Sequence, residues 1–284
     1  MRLISARRFP LIRDEILLQL ECFGEEVRST HWQGQDISGK QEMTPIELQN
    51  VIFEMNMPET EGQAQHQIKP NLPWAEEHFL ERVGGVPLNP PPSAKTWPFA
   101  QAGHVDHTDD YGQFSHTYPE RFWPKHAGHD MSSYCDGSRD DDPGNFGVRY
   151  DLGDLNDVVD LLRTDLSTRQ AYLPIWFPED TGAVSDQRVP CSLGYHFMVR
   201  SGRLHVTYMI RAVDFWRHFA DDVYMAVRLG QWVRDKLDRE PLVMGNLTMH
   251  TMSMHCFAGD RAAMRARNAG MSLRTSERLL EELG

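Results

Sequence analysis

A chain of 284 residues with 40% apolar and 25% charged residues has the composition of an ordinary globular protein and can bury a sizeable core. Its formal charge of −12 argues against a general polyanion binder, because nucleic-acid affinity rests on Lys and Arg neutralising phosphates; a free nucleotide needs only a few local Arg residues. No apolar run spans a bilayer, no charged-then-apolar leader follows Met1, and Cys22, Cys135, Cys191 and Cys256 show no Cys-x-x-Cys spacing, so the expectation is a cytoplasmic protein with reduced thiols and no membrane partner.

In chain order, Thr44-Pro45 followed by Ile46, Leu48, Val51 and Ile52 reads as the start of a helix. Glu59 to Pro70 is polar and Gln-rich, and Leu72-Pro73-Trp74 then opens a helix over Trp74–Arg82 that Gly84-Gly85 ends. Asn89-Pro90-Pro91-Pro92-Ser93 is a stiff connection. From Gly103 to Asp142 the chain is rich in His, Asp, Gly and Tyr without a period, the pattern of functional loops. Asp154 opens a helix to Thr164 with Leu155, Val158, Val159, Leu161 and Leu162 at helical spacing. Ala171–Phe177 reads as a strand, and Cys191–Val199 and Leu204–Asp214 as two more, joined by the hairpin signal Arg200-Ser201-Gly202-Arg203. Val223–Leu237 is the longest helical pattern, Asn246–Phe257 returns to strand-like alternation, and Ser276–Leu283 predicts a short terminal helix. No internal repeat is visible, and residues 1–284 read as one elaborated domain.

A Pro-Cys step by itself is weak, since most single cysteines are inert core residues. Cys191 differs in its company: Arg169 upstream, Arg188 three residues before it, and Arg211 with Asp214 one hairpin later. Cationic neighbours lower a thiol pKa and favour the nucleophilic thiolate.

Arg188-Val189-Pro190-Cys191, the hairpin, and then Tyr208-Met209-Ile210-Arg211-Ala212-Val213-Asp214-Phe215 resemble the nucleophile and phosphate segments of the thymidylate synthase superfamily. The resemblance runs from about Asp160 to Phe257, extends more weakly back to Trp74, and leaves residues 1–70 poorly matched. It implies an α+β fold, a mixed β-sheet packed by helices, paired sheet to sheet in a homodimer. It also implies a pyrimidine nucleoside monophosphate as substrate and 5,10-methylenetetrahydrofolate as co-substrate.

By that resemblance Cys191 adds to C6 of the pyrimidine. C5 is otherwise a poor carbon nucleophile, and thiolate addition turns it into an enamine or enolate carbon able to attack a one-carbon unit. Arg211 matches the phosphate-binding arginine, and Arg169 matches an arginine donated across the dimer interface. Gln170 stands where the family has a second arginine, which leaves the phosphate contacts either thinner or supplied by Arg188. Asp214 matches the acid that accepts hydrogen bonds from the folate pterin, Glu77 (with Glu76 as the alternative) the general acid/base, Tyr118 the tyrosine that helps deprotonate C5, and His255 a sugar-binding histidine. Phe257 replaces a tyrosine whose hydroxyl bonds the sugar, and Ala212 replaces a serine.

The informative departure lies eight residues after Asp214, where thymidylate synthases carry an asparagine that donates to O4 and accepts from N3–H of uracil. This chain has Asp222 there. Cytosine inverts both edges, and a carboxyl protonated on one oxygen accepts from its N4 amine and donates to its N3. The substrate is then CMP or dCMP, and the resemblance is to the cytidylate 5-hydroxymethylase branch; Ser192 in place of a histidine after the nucleophile fits water as the acceptor of the C5 methylene. A 5-methyl product, from a thymidylate synthase or a dCMP methyltransferase, is the alternative. Two other classes remain: a metal hydrolase built on His104, His107, His116, His126 and His129 with Asp106, Asp109 and Asp110, and a non-catalytic nucleotide- or RNA-binding module.

Overall fold

The computed structural model describes residues 2–32, 35–99, 112–125, 153–181, 188–239 and 241–270. Strand β1 (Arg2–Ser5) leads into helix α1 (Phe9–Phe23), then short strands β2 (Glu25–Glu26), β3 (His31–Trp32) and β4 (Gln35–Asp36), and the long strand β5 (Pro45–Asn56). Helices α2 (Glu61–Ile68), α3 (Trp74–Val83), α4 (Tyr118–Phe122) and α5 (Leu155–Thr164) follow, then strands β6 (Tyr172–Pro174), β7 (Ser192–Arg200) and β8 (Arg203–Asp214), helix α6 (Phe219–Leu237) and strand β9 (Val243–Phe257). The main sheet runs β1-β5-β9-β8-β7-β6, with β2 also on β5; β1/β5 and β8/β9 are parallel and the remaining pairs antiparallel. Among the described residues, β3 and β4 pair only with each other.

The stretch expected to open a helix at Thr44 is instead strand β5, hydrogen-bonded to β9 along its length. The sequence misleads for an identifiable reason. Inward positions run Ile46, Leu48 and then Val51, Phe53, Met55, because Asn50 at φ +53° shifts the alternation by one residue. That slip gives the apolar residues a helix-like spacing. The same slip occurs in β9, where Leu247, Met249 and Thr251 give way to Met254 and Cys256, and in β8, where Tyr208 and Ile210 give way to Val213. The register aligns the three slips: Gln49 pairs with Ser253, and Ser253 with Ala212. β7 is irregular at the neighbouring place, between Ser192 and Gly194. Bulges bend strands and re-aim side chains, and this line of them ends at Cys191.

Helices α1 and α6 cover one face of the sheet, with Phe219 of α6 set 5.1 Å from Phe9 and 5.6 Å from Phe53, ring centre to ring centre. α1 has no sequence-level counterpart above, and α2 lies within the polar Gln-rich stretch, started by a capping box in which Thr60 and Gln63 satisfy each other's backbone N–H. α3, α5 and the β7–β8 hairpin fall where the sequence puts them; the hairpin turns on Ser201 and Gly202, both at positive φ. α6 begins at Phe219, one turn before the expected Val223, and β9 at Val243 rather than Asn246. Within the expected Ala171–Phe177 strand the regular ladder covers Tyr172–Pro174, and single backbone bonds to β7 extend it at both ends, from Phe197 N–H to the Ala171 carbonyl (2.8 Å) and from Ile175 N–H and Trp176 N–H to the Leu193 carbonyl (3.0 and 3.1 Å). The expected terminal helix at Ser276–Leu283 and most of the Gly103–Asp142 segment lie outside the described residues. Among the described residues, no helix is long and apolar enough to cross a membrane.

Candidate active site

Cys191 sits at the turn into β7, part-buried, with its carbonyl accepting from the backbone N–H of Arg211 (2.8 Å). The Arg211 side chain reaches back to the same turn: Nε donates to the carbonyl of Pro190 (2.9 Å) and Nη2 to that of Val189 (3.1 Å). Arg211 therefore fixes the Cys191 loop as well as charging it. Burial raises the Cys191 thiol pKa; Arg211 and Arg188 pull it down, Asp222 pushes it up, and the net direction is upward. This corrects the expectation that the arginines leave a lowered pKa, because desolvation of the thiolate outweighs them.

Tyr118 is the first residue of α4. A capping box holds that short helix: Thr117 Oγ1 accepts from Glu120 N–H, and Glu120 Oε2 accepts from Thr117 N–H at 2.8 Å. The Tyr118 hydroxyl receives Ser192 Oγ–H (3.1 Å) and Ser192 N–H (3.4 Å), and Ser192 Oγ also bonds Tyr208 Oη at 2.6 Å. Ser192 is fully buried, the hub of a hydroxyl chain rather than a simple vacancy for water. Burial, with Cys191 and Asp222, lifts the Tyr118 phenol above its ordinary range against the pull of Arg82.

Asp222 lies in the first turn of α6. Its neighbour Asp221 is buried and accepts both N–H donors of Asn71, at 2.8 Å each, which fastens the loop before α3 and leaves Asp222 to the Cys191 side. Burial raises the Asp222 carboxyl to about 7; Arg82 opposes that shift, and Asp221 and Asp214 add to it. In the unfolded chain the group titrates near its ordinary 3.8, so the folded state binds more protons between the two values and stability falls as pH rises through that window. Asp222→Asn removes this loss. Its melting temperature relative to the parent is expected to climb from about pH 4 to about pH 7 and then level off; a difference that stays flat in thermal melts across that range would refute the raised carboxyl.

From α3, the residues that reach this cluster are His78 and Arg82. The Arg82 guanidinium lies over the Tyr118 ring, 3.8 Å from its centre, and the His78 ring is edge-on to it at 6.2 Å. Neither was singled out from the sequence; their four-residue spacing on one helix face was the available signal. Glu77 is exposed, and the structure does not bring it into the hydrogen-bonded cluster. Glu76 faces the other way, into a network with Tyr224 (2.6 Å) and Arg228 (2.7 Å) that ties α3 to α6. Helix α3 thus turns both glutamates away and turns a histidine and an arginine inward.

Asp214 ends β8, buried. Oδ1 accepts from the N–H groups of Trp216 (3.0 Å) and Arg217 (3.1 Å), and Oδ2 from Arg217 Nη1 (3.0 Å). A carboxylate offers about four acceptor positions, so Oδ2 retains capacity for one further donor. His255 pairs with Asp214 across β8/β9 and with Glu47 across β5/β9, its imidazole held below the usual range by burial. Arg188 is exposed, its carbonyl accepting from Ser115 Oγ (2.9 Å) and hydrogen-bonded to His116 Nδ1 (3.1 Å). Arg169 is exposed on the β6 side, away from the cluster in the same chain. Of the histidines and acids weighed as metal ligands, only His116 is described; among the described residues no group of three or more His, Cys, Asp or Glu is placed to hold a metal ion.

No protein-family model matches the chain. A stretch of 103 residues, 36% of the chain, is 28% identical to the "Putative thymidylate synthase" of Methanosarcina barkeri, and 109 residues are 26% identical to the protein of the same name from Methanocaldococcus jannaschii. These matches span about half the length of those curated relatives, 45% and 48%. The structure superposes on thermostable thymidylate synthase A from Bacillus subtilis with a TM-score of 0.61, covering 90% of this chain and 82% of that one at 14% identity. The bent mixed sheet, packed by helices and carrying Cys191 at the end of its line of bulges, is a thymidylate synthase-like fold.

Proposed function

We propose that the chain is a folate-dependent one-carbon transferase that places a hydroxymethyl group on C5 of a cytidine nucleotide, CMP or dCMP, through a covalent Cys191 adduct at C6. The observation that carries the base assignment is Asp222: a carboxyl raised to about 7, in electrostatic contact with both the Cys191 thiol and the Tyr118 phenol. Near neutral pH it is protonated on one oxygen in a large fraction of molecules, and in that state it accepts from the N4 amine and donates to N3 of cytosine. Protonation also removes the acidic neighbour that opposes the Cys191 thiolate.

The remaining roles follow the chemistry of each group. Arg211 holds phosphate with Nη1, the end not committed to the Pro190 and Val189 carbonyls. Arg188 lies on the same side of the nucleophile, Arg169 reaches the phosphate of a second subunit, and His255 faces the sugar. The co-substrate 5,10-methylenetetrahydrofolate supplies the one-carbon unit, and Asp214 fits it by the acceptor capacity left on Oδ2. Tyr118 takes part in removing the C5 proton. With Glu77 exposed, the acid/base task passes to Tyr118 and solvent water. The sheet face opposite α1 and α6 carries part-buried Ile52, Met198 and Met209, apolar groups that the sheet of a second copy would cover in a homodimer.

Incubation with methylenetetrahydrofolate and each of CMP, dCMP, UMP and dUMP, with products identified by mass, tests the proposal. The expected product is a cytidine nucleotide heavier by one formaldehyde unit. A gain of one methylene unit would establish the methyl product instead, and reaction of uracil nucleotides alone would overturn the reading of Asp222.

A further inference from the structure

Arg82 is 4% exposed, and a buried charge is costly unless it is paired. Its pairing is indirect. A guanidinium only donates hydrogen bonds, so His78 Nε2, 2.9 Å from Arg82 Nη2, is the acceptor. His78 Nδ1 then carries the proton and donates to Ser93 Oγ at 2.9 Å. Ser93 donates in turn to Glu81, from its backbone N–H at 2.7 Å and from its hydroxyl. The donors all run one way, Arg82 to His78 to Ser93 to Glu81, and connect the cation to a carboxylate without placing that carboxylate against it. Burial takes the His78 imidazole to about 4, which keeps the ring in the neutral form the line requires.

The line holds the guanidinium by its edge and leaves its flat face on the Tyr118 ring. Arg82 Nε is buried without a hydrogen-bond partner among the described residues, so the scaffold does not saturate this cation. On the far side of the same phenol, Ser192 N–H and Oγ–H point at the oxygen. A cation on the ring face and two donors at the oxygen all favour negative charge on Tyr118.

We propose that Arg82 is a positioning residue for proton transfer at C5: anchored through His78 and Ser93 to Glu81, it holds the Tyr118 ring and stabilises the charge that gathers on the phenol oxygen. In that step the C5–H bond of the Cys191 adduct breaks, its electron pair becomes the C4=C5 π bond of an enamine, and the displaced C4=N3 π pair moves onto N3. The proton passes to the Tyr118 oxygen as the phenol's own proton leaves to water. The inference rests on the roles proposed above for Cys191 and Tyr118.

The test uses Arg82→Met combined with Glu81→Gln, which removes both ends of the buried pair, alongside Arg82→Lys. Trapping of 5-fluoro forms of the four nucleotides on Cys191 with methylenetetrahydrofolate requires no C5 proton removal and is expected to stay at the parent level. Turnover of the C5–H nucleotide is expected to fall about 100-fold in kcat with KM unchanged, to slow further when C5 carries deuterium, and to recover in part in Arg82→Lys. An unchanged kcat would overturn the proposal, as would trapping that falls in parallel with turnover, the mark of a merely structural role. If the parent protein itself traps none of the four, the Cys191 reading fails and this proposal with it.

Discussion

Replacing Cys191 by Ser is expected to lower turnover on the order of 10⁴-fold and to abolish covalent capture of a 5-fluoropyrimidine nucleotide, while the fold persists. The thiol is part-buried rather than packed in the core, and its one-atom change leaves the Arg211 bonds to Pro190 and Val189 with their backbone acceptors. What is lost is chemical. A serine hydroxyl ionises far less readily than a thiol and would need a strong adjacent base, whereas the charged groups nearest Cys191 are two arginines and a carboxyl that is itself protonated near neutrality. Mass spectrometry of the trapped complex and steady-state rates measure both effects. A Cys191→Ser protein that keeps its function would move the chain to the non-catalytic nucleotide- or RNA-binding class.

Asp222→Asn is expected to exchange base preference, from cytosine to uracil nucleotides. The amide donates to O4 and accepts from N3–H, whereas the ionised carboxyl of Asp222 offers O4 no donor. Two mismatched polar contacts in a desolvated recess amount to about 3 kcal/mol or more, a swing of at least about 100-fold in the ratio of kcat/KM for the two bases. Competition between CMP and UMP, and between dCMP and dUMP, reads this ratio directly. Loss of activity on both bases with no change in their ratio would assign Asp222 to catalysis rather than recognition. The pH-dependent melting difference predicted for the same variant is independent of substrate, so it separates the state of the carboxyl from its use.

The residues offered by sequence fall into two groups when placed in the fold. Cys191, Arg211, Asp214 and Asp222 lie along one continuous strand–turn–strand–helix stretch, so their order and approximate spacing are local properties, adjusted by the bulges of β7 and β8. Glu77 illustrates the other group: it lies on α3, but which side of α3 faces Tyr118 and Cys191 depends on α6, through the Glu76 bonds to Tyr224 and Arg228. Tyr118 shares a cluster with Cys191, yet its partner Ser192 is 74 residues away along the chain, and the bond between them has no local signature. Strand β5 shows the same limit in the backbone, where one left-handed residue, Asn50, gave a strand the spacing of a helix.

By itself the sequence determined the order of groups: a thiol, an arginine, two acids at fixed offsets, and a hairpin and helix to carry them. Periodicity and turn residues are local properties, and they suffice for that much. Only the tertiary structure decided the protonation states, the inward face of α3 and the direction of the Cys191 pKa shift. Each of these is a sum over groups brought together from distant parts of the chain, as when Arg82 of α3 acts on Asp222 of α6 and on Tyr118 of α4. Desolvation, the largest contribution for all three titrating groups at the site, exists only once the sheet and helices have closed around them.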